Sequence, residues 1–168
     1  MNEDLNQIFI DSSIAKLERH TSEIERCLAR LDDSQVWLRR SEHENAIGNL
    51  IVHLCGNVSQ RTAIVRGEPD TRVRDLEFSV RGGSGAAALS RQLRQTIDDA
   101  VAVLRTLPLA RLSEHVKVGE FDHTILESTY HLVTHFALHA GQIMFATKMI
   151  TGASLGFYQP PASATTGR

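Results

Sequence analysis

Ile10, Ile14, Leu17, Thr21, Ile24, Leu28 and Leu31 step alternately by four and three along the chain. That spacing gathers them on one stripe of a helix over residues 5–31, and such a stripe must be covered by another element. Asp32-Asp33-Ser34 ends the run, and Trp37, the only tryptophan, follows in a linker where it can pack over one end of the fold. Two further segments repeat the pattern. Leu89, Leu93, Ile97, Ala100, Leu104 and Leu107 form a third helix closed by Pro108, and a fourth runs from the Thr124–Glu127 capping pair to about Thr151, with Gly152 as its C-cap.

The second helix is expected to open on a capping box, Ser41 with Glu44, and to run to about Arg66. It carries two stripes. Ile47, Ile51, Leu54, Val58 and Val65 are apolar, whereas Ala46, Leu50, His53, Asn57 and Ile64 mix polar groups into an apolar face. Residues 67–85, rich in Gly and containing Arg72, Arg74 and Arg81, read as an unusually long loop, either a functional lid or a disordered stretch. Val116-Lys117-Val118 before Gly119 suggests a short strand. The inventory is all-α, a four-helix bundle over residues 1–158 with long connections between helices two and three and between three and four, followed by a flexible tail, 159–168.

Composition removes several alternatives. Eighteen basic residues against twenty acidic ones leave no excess positive charge for a nucleic acid. The apolar runs are too short to span a membrane, and the acidic start is unlike a signal peptide, so a cytoplasmic protein is expected. Cys27 and Cys55 have no metal-ligand spacing and are expected to be reduced, and Cys55, which points off the His53 face, reads as a small core residue. Gly82-Gly83-Ser84-Gly85 lacks the Lys-Ser/Thr ending of a phosphate-binding loop.

Histidine carries the chemistry. His131, His135 and His139 lie four apart on one face of the fourth helix. The outer two are separated by roughly 12 Å of helix axis, so only adjacent members can share an ion and a further ligand must come from another helix. His53, mid-way along the second helix on its mixed stripe, is the best placed. Three neutral imidazoles leave at least one coordination position open, the pattern of a catalytic site. Asn57 and Gln142 either orient ligand histidines or interlock helices, and Asn49 shares that ambiguity. His131 either moves a proton beside the open position or lines the pocket. The loop arginines 72, 74 and 81 either meet an anionic substrate, such as the carboxylates of a thiol cofactor, or are solvated.

The stretch Ile47-Gly48-Asn49-Leu50-Ile51-Val52-His53-Leu54-Cys55-Gly56-Asn57 resembles the second helix of the DinB-like (DinB/YfiT) superfamily of metalloenzymes. His135-Phe136-Ala137-Leu138-His139-Ala140-Gly141-Gln142-Ile143 resembles that superfamily's last-helix motif, and Thr71–Phe78 resembles a loop of an uncharacterised branch. The resemblance implies a bundle in up-down-down-up order, often a homodimer, with the metal on His53, His135 and His139. Zinc, nickel, iron or copper would suit three imidazoles. It implies no single reaction: a transferase or isomerase that uses a low-molecular-weight thiol on a small molecule, a hydrolase, and a non-catalytic metal-binding or stress-related bundle all remain open.

Overall fold

The structure, a computed structural model, describes residues 4–157. Four long helices form the bundle: α1 (Leu5–Leu28), α3 (Ile47–Arg66), α5 (Ala86–Thr106) and α6 (Ile125–Thr151). Two short helices, α2 (Asp33–Val36) and α4 (Arg74–Ser79), and a hairpin of β1 (His115–Val118) and β2 (Phe121–Thr124) occupy the connections. A 3-10 turn, Leu109–Ser113, precedes the hairpin. The expected tail, 159–168, lies outside the described residues. Among the described residues no helix is long and apolar enough to cross a membrane.

Side-chain pairs fix the helix directions. Arg94 and Arg105 of α5 pair with Glu25 and Glu18 of α1, so these two run antiparallel. Arg30, just past α1, donates to the carbonyl of Ser154, just past α6, so α1 and α6 run parallel. Arg61 of α3 reaches Ser128 in the first turn of α6, which makes that pair antiparallel. The order is therefore up-down-down-up. Around the bundle α1 packs on α5 and α6, and α3 packs on the same two.

This order explains the length of residues 67–85. Because α3 and α5 run parallel, the chain must return along the bundle, a distance of roughly 30 Å for a twenty-residue helix. It does so in an extended path with α4 in its middle, and it is fastened at the far end. Ala86 N donates to Asp33 Oδ1 at 2.8 Å and Trp37 Nε1 donates to the Ser84 carbonyl at 2.9 Å. The Trp37 ring lies over Gly48, where an added Cβ would sit 2.7 Å from it.

The start of α3 departs from expectation. Its N-cap is Ala46, with no side-chain cap, and Glu44 instead accepts from the Arg40 amide at 2.7 Å. The Ser41–Glu44 pair thus closes a turn in the linker. Helix begins only at the run from Ala46 to Leu50, all of it buried, so packing sets the boundary. The Thr124–Glu127 box at the head of α6 forms as the sequence suggests, as does the Gly152 cap. An unforeseen box, Asp32 with Gln35, starts α2. The strand at Val116–Val118 pairs with β2 across the Gly119 turn.

Candidate metal centre

On α3, Asn49, His53, Asn57 and Arg61 follow one another at four-residue steps, and all are buried. This polar row faces α6, whose own row contributes His139, His135, His131 and Ser128 in the opposite direction. The helices bring His53, His135 and His139 together, with one ligand atom from each lying within 4.8 Å of the others. His53 Nε2 is 3.1 Å from His135 Nε2, and His139 Nε2 is 3.2 Å from the same atom. Nitrogens about 2.0–2.1 Å from a shared tetrahedral ion stand roughly 3.3–3.4 Å apart, so the cluster has the dimensions of a ligand set.

The partners of the other ring nitrogens favour one set of tautomers. His53 Nδ1 is 2.8 Å from Glu77 Oε2. Arg72 donates to both oxygens of that carboxylate, from Nε at 2.7 Å and from Nη2 at 2.8 Å. Arg72 Nη2 also lies 3.1 Å from His53 Nδ1, but its shorter contact is to Glu77, and the tautomer that pairs His53 Nδ1–H with that carboxylate leaves Nε2 a free lone pair. His139 Nδ1 is 2.7 Å from Gln142 Oε1, which places the proton there too and leaves a second lone pair at Nε2. Both point at His135 Nε2. A proton on that atom can satisfy only one of them, whereas a cation satisfies all three rings. His135 Nδ1, buried with no hydrogen-bond partner among the described residues, is then free to carry its own proton. The donor set fits a divalent ion.

Electrostatics agree. Burial pushes the His53 imidazole below its ordinary pKa, with Glu77 opposing and the nearby His139 adding to the fall. Burial, then His139 and His53, takes His135 down to about 3. These rings are neutral near pH 7, as ligands must be.

Glu77 was not foreseen. It comes from α4, in the segment expected to be loop, and it is buried against α3. A Cβ at Gly56 would lie 2.0 Å from Glu77 Oε1, so only glycine leaves room for this carboxylate. A glycine in the middle of a helical pattern, three residues after His53, was the available signal of close approach. Asn49 Nδ2 seats α4 by donating to the carbonyls of Glu77 and Val80 at 3.0 and 2.9 Å. Phe78 covers His53, ring centroids 4.7 Å apart.

Other residues fall out differently. Arg72 is not solvated: it is turned inward, and also donates to Gln60 Oε1 at 3.0 Å. Arg74 lies over the Phe78 ring at 5.6 Å. Asn57 touches no ligand histidine through a hydrogen bond, and its Oδ1 is buried without a partner among the described residues. His131 is exposed and stacks on His135 with centroids 5.6 Å apart, outside the three-histidine group. Cys55 is a buried free thiol whose pKa burial raises to about 11.

With the geometry in hand, the sequence matches one family model over residues 4–159, that of a protein of unknown function, DUF1572. The chain belongs to the DUF1572 family. Solved structures that share the fold include a conserved protein from Enterococcus faecalis, at TM-score 0.74 and 13% identity, covering 89% of this chain and 99% of that one. The DinB-like protein YjoA of Bacillus subtilis matches at TM-score 0.69 and 13% identity over the same shares of each chain. This DUF1572 member therefore has a DinB-like fold. No curated protein matches its sequence.

Proposed function

We propose that this protein holds one divalent metal ion on His53, His135 and His139 and is a thiol-dependent transferase or isomerase acting on a small molecule. The observation that carries the reading is the convergence of three Nε2 atoms with two ring protons held outward by Glu77 and Gln142. Bound there, the ion would supply a Lewis acid with an open position, favouring the thiolate form of a ligand thiol or the deprotonated form of water.

The residues around the cluster favour the thiol. Glu77, the carboxylate at the centre, is held by both His53 and Arg72 and is not free to act as a general base for water. A thiol needs less help, since its own pKa lies near 8.5. In the proposed reaction the thiolate forms a carbon–sulfur bond while the leaving group departs with its electron pair, and the thiol proton passes to solvent or to His131. A cavity of about 290 Å³ lined by Leu38, Ile47, Leu50, Phe145 and Met149, with Arg40, Glu44, Asn45 and Gln142 also on its wall, offers substrate space beside Gln142, the partner of His139.

The test is product formation from a low-molecular-weight thiol and an electrophilic aryl halide. Thioether should appear with metal-loaded protein and not with the His135→Ala variant. Hydrolysis of ester substrates without thiol would point to the hydrolase instead, and full metal loading with neither reaction to a non-catalytic bundle. A homodimer is part of the proposal, with the exposed stripe of Tyr130, Leu138, Phe145 and Met149 on α6 as its surface. Light scattering should give the mass of two chains, and a one-chain mass would overturn that part.

A further inference from the structure

Among the described residues some arginines pair with a carboxylate, Arg66 with Asp99, Arg72 with Glu77, Arg94 with Glu25 and Arg105 with Glu18, whereas others, such as Arg30, Arg40 and Arg61, are seen on neutral groups. Two of the second kind, Arg39 and Arg81, lie near the metal centre and share one acceptor. Arg39, from the linker before α3, donates to the Val80 carbonyl at 3.3 Å, and Arg81, just past α4, donates to the same oxygen at 3.2 Å. Their other partners are also neutral, Asn49 Oδ1 for Arg39 and the Phe78 carbonyl, at 2.7 Å, for Arg81. Two guanidinium groups thus converge on one carbonyl oxygen, and among the described residues no carboxylate pairs with either. Burial, and then Arg81 itself, lowers the pKa of Arg39. Like charges at this separation repel, and an anion seated on both removes the repulsion.

The place matters as much as the charge. Asn49, which receives Arg39, lies one turn before His53 on α3, roughly 6 Å along the axis. The same Asn49 holds the carbonyls of Glu77 and Val80, so one set of bonds seats both the Glu77 support of His53 and the arginine pair. Phe78, whose carbonyl Arg81 grips, has its ring against His53.

We propose that Arg39 and Arg81 bind an oxyanion, a carboxylate or a phosphate, on a small molecule whose other end reaches the three-histidine centre. The first half stands on the arginine pair alone; the second rests on the proposed metal function. Substrate or thiol cofactor is then anionic, with its charged end about one helical turn from its reacting end.

Calorimetric titration of the purified protein with succinate and with inorganic phosphate tests the pair without the metal. At least one should bind, the preferred one naming the carboxylate or phosphate source, and binding should weaken at least tenfold in Arg39→Gln/Arg81→Gln and at high salt. Arg81→Gln alone, which removes an exposed side chain and spares the Arg39–Asn49 contact, should weaken it several-fold with an unchanged melting temperature. No binding of either anion, or equal binding by wild type and variants, overturns the proposal. A second arm uses cobalt-loaded protein and the thiolate-to-cobalt absorption band. Glutathione, which carries two carboxylates, should bind at least tenfold tighter than 2-mercaptoethanol, and the double variant should erase that preference. A preference that survives in the variant overturns the arginine assignment. Cobalt uptake with no band from either thiol, alongside intact anion binding, defeats the thiol reading and leaves the oxyanion site standing.

Discussion

Helices α3 and α5 lie side by side and run the same way, and both bury an apolar row, but α3 buries a second row of another kind. On α5 the inward row is Leu89, Leu93, Ile97, Ala100 and Leu104, apolar throughout. On α3 one inward row, at Asn49, His53, Asn57 and Arg61, is polar throughout. Burying unpaired polar groups costs about 1–3 kcal/mol each, so α3 is the poorer choice for stability alone. Each polar residue on it is accounted for, if at all, by something specific: Glu77 for His53, the α4 carbonyls for Asn49, Ser128 for Arg61. Both helices contribute to the apolar core, and α3 alone adds a polar row that includes a member of the three-histidine group.

The largest expected effect breaks this division from the stable side. Leu93 is fully buried, so Leu93→Ala should cost about 2–5 kcal/mol in denaturant unfolding while metal content per folded chain stays unchanged. A loss of metal in the folded variant would show that the two rows are not separable. On the other side, Gly56→Ala should destabilise by about 1–3 kcal/mol, because its Cβ would strike Glu77 and displace α4. Metal affinity should fall with it. Near-normal affinity in that variant would remove Glu77 from the support of His53.

Smaller changes sharpen the comparison. Glu77→Gln should lower metal affinity about 10–100-fold in a chelator competition, the usual consequence of weakening a ligand's hydrogen-bond partner. Gln142→Ala should act the same way but less, since Gln142 is exposed and water can replace it at His139 Nδ1. Metal-free protein should also lose stability in acid. His53 and His135 have folded pKa values below the unfolded value near 6.5, so the unfolded chain binds more protons below that pH. Their contribution is fully present above about pH 6.5 and declines as pH falls toward 3, and His135→Asn should flatten the decline in thermal melts.

The same contrast explains what was legible in the sequence. The rows of α1 and α5 obey helical spacing with few exceptions, so those helices could be read directly, although α1 ends at Leu28 and not at 31. The three histidines could also be found, because two share a helix face at four-residue spacing and the third interrupts an apolar stripe. Glu77 could not, since it reaches His53 across 24 residues of chain. Nothing in local periodicity links a residue in a crossing segment to the helix it returns along. Arg39 escaped for the same reason, since it reaches the Val80 carbonyl 41 residues along the chain, whereas Arg72 meets Glu77 only five residues on, in a segment whose local pattern does not show which way the side chain turns. The Ser41–Glu44 pattern misled because these residues sit in a linker turn, where Glu44 N bonds the Ser41 carbonyl and the Glu44 carboxylate takes the Arg40 amide.

The central claim is that the polar row on α3 exists to hold a metal with α6. Elemental analysis of the purified, untagged protein beside its His53→Ala variant tests it most directly. Roughly one divalent ion per chain in the wild type, lost in a variant with an unchanged helical spectrum, is the predicted result. Equal metal in both, or none in either after reloading, would contradict it.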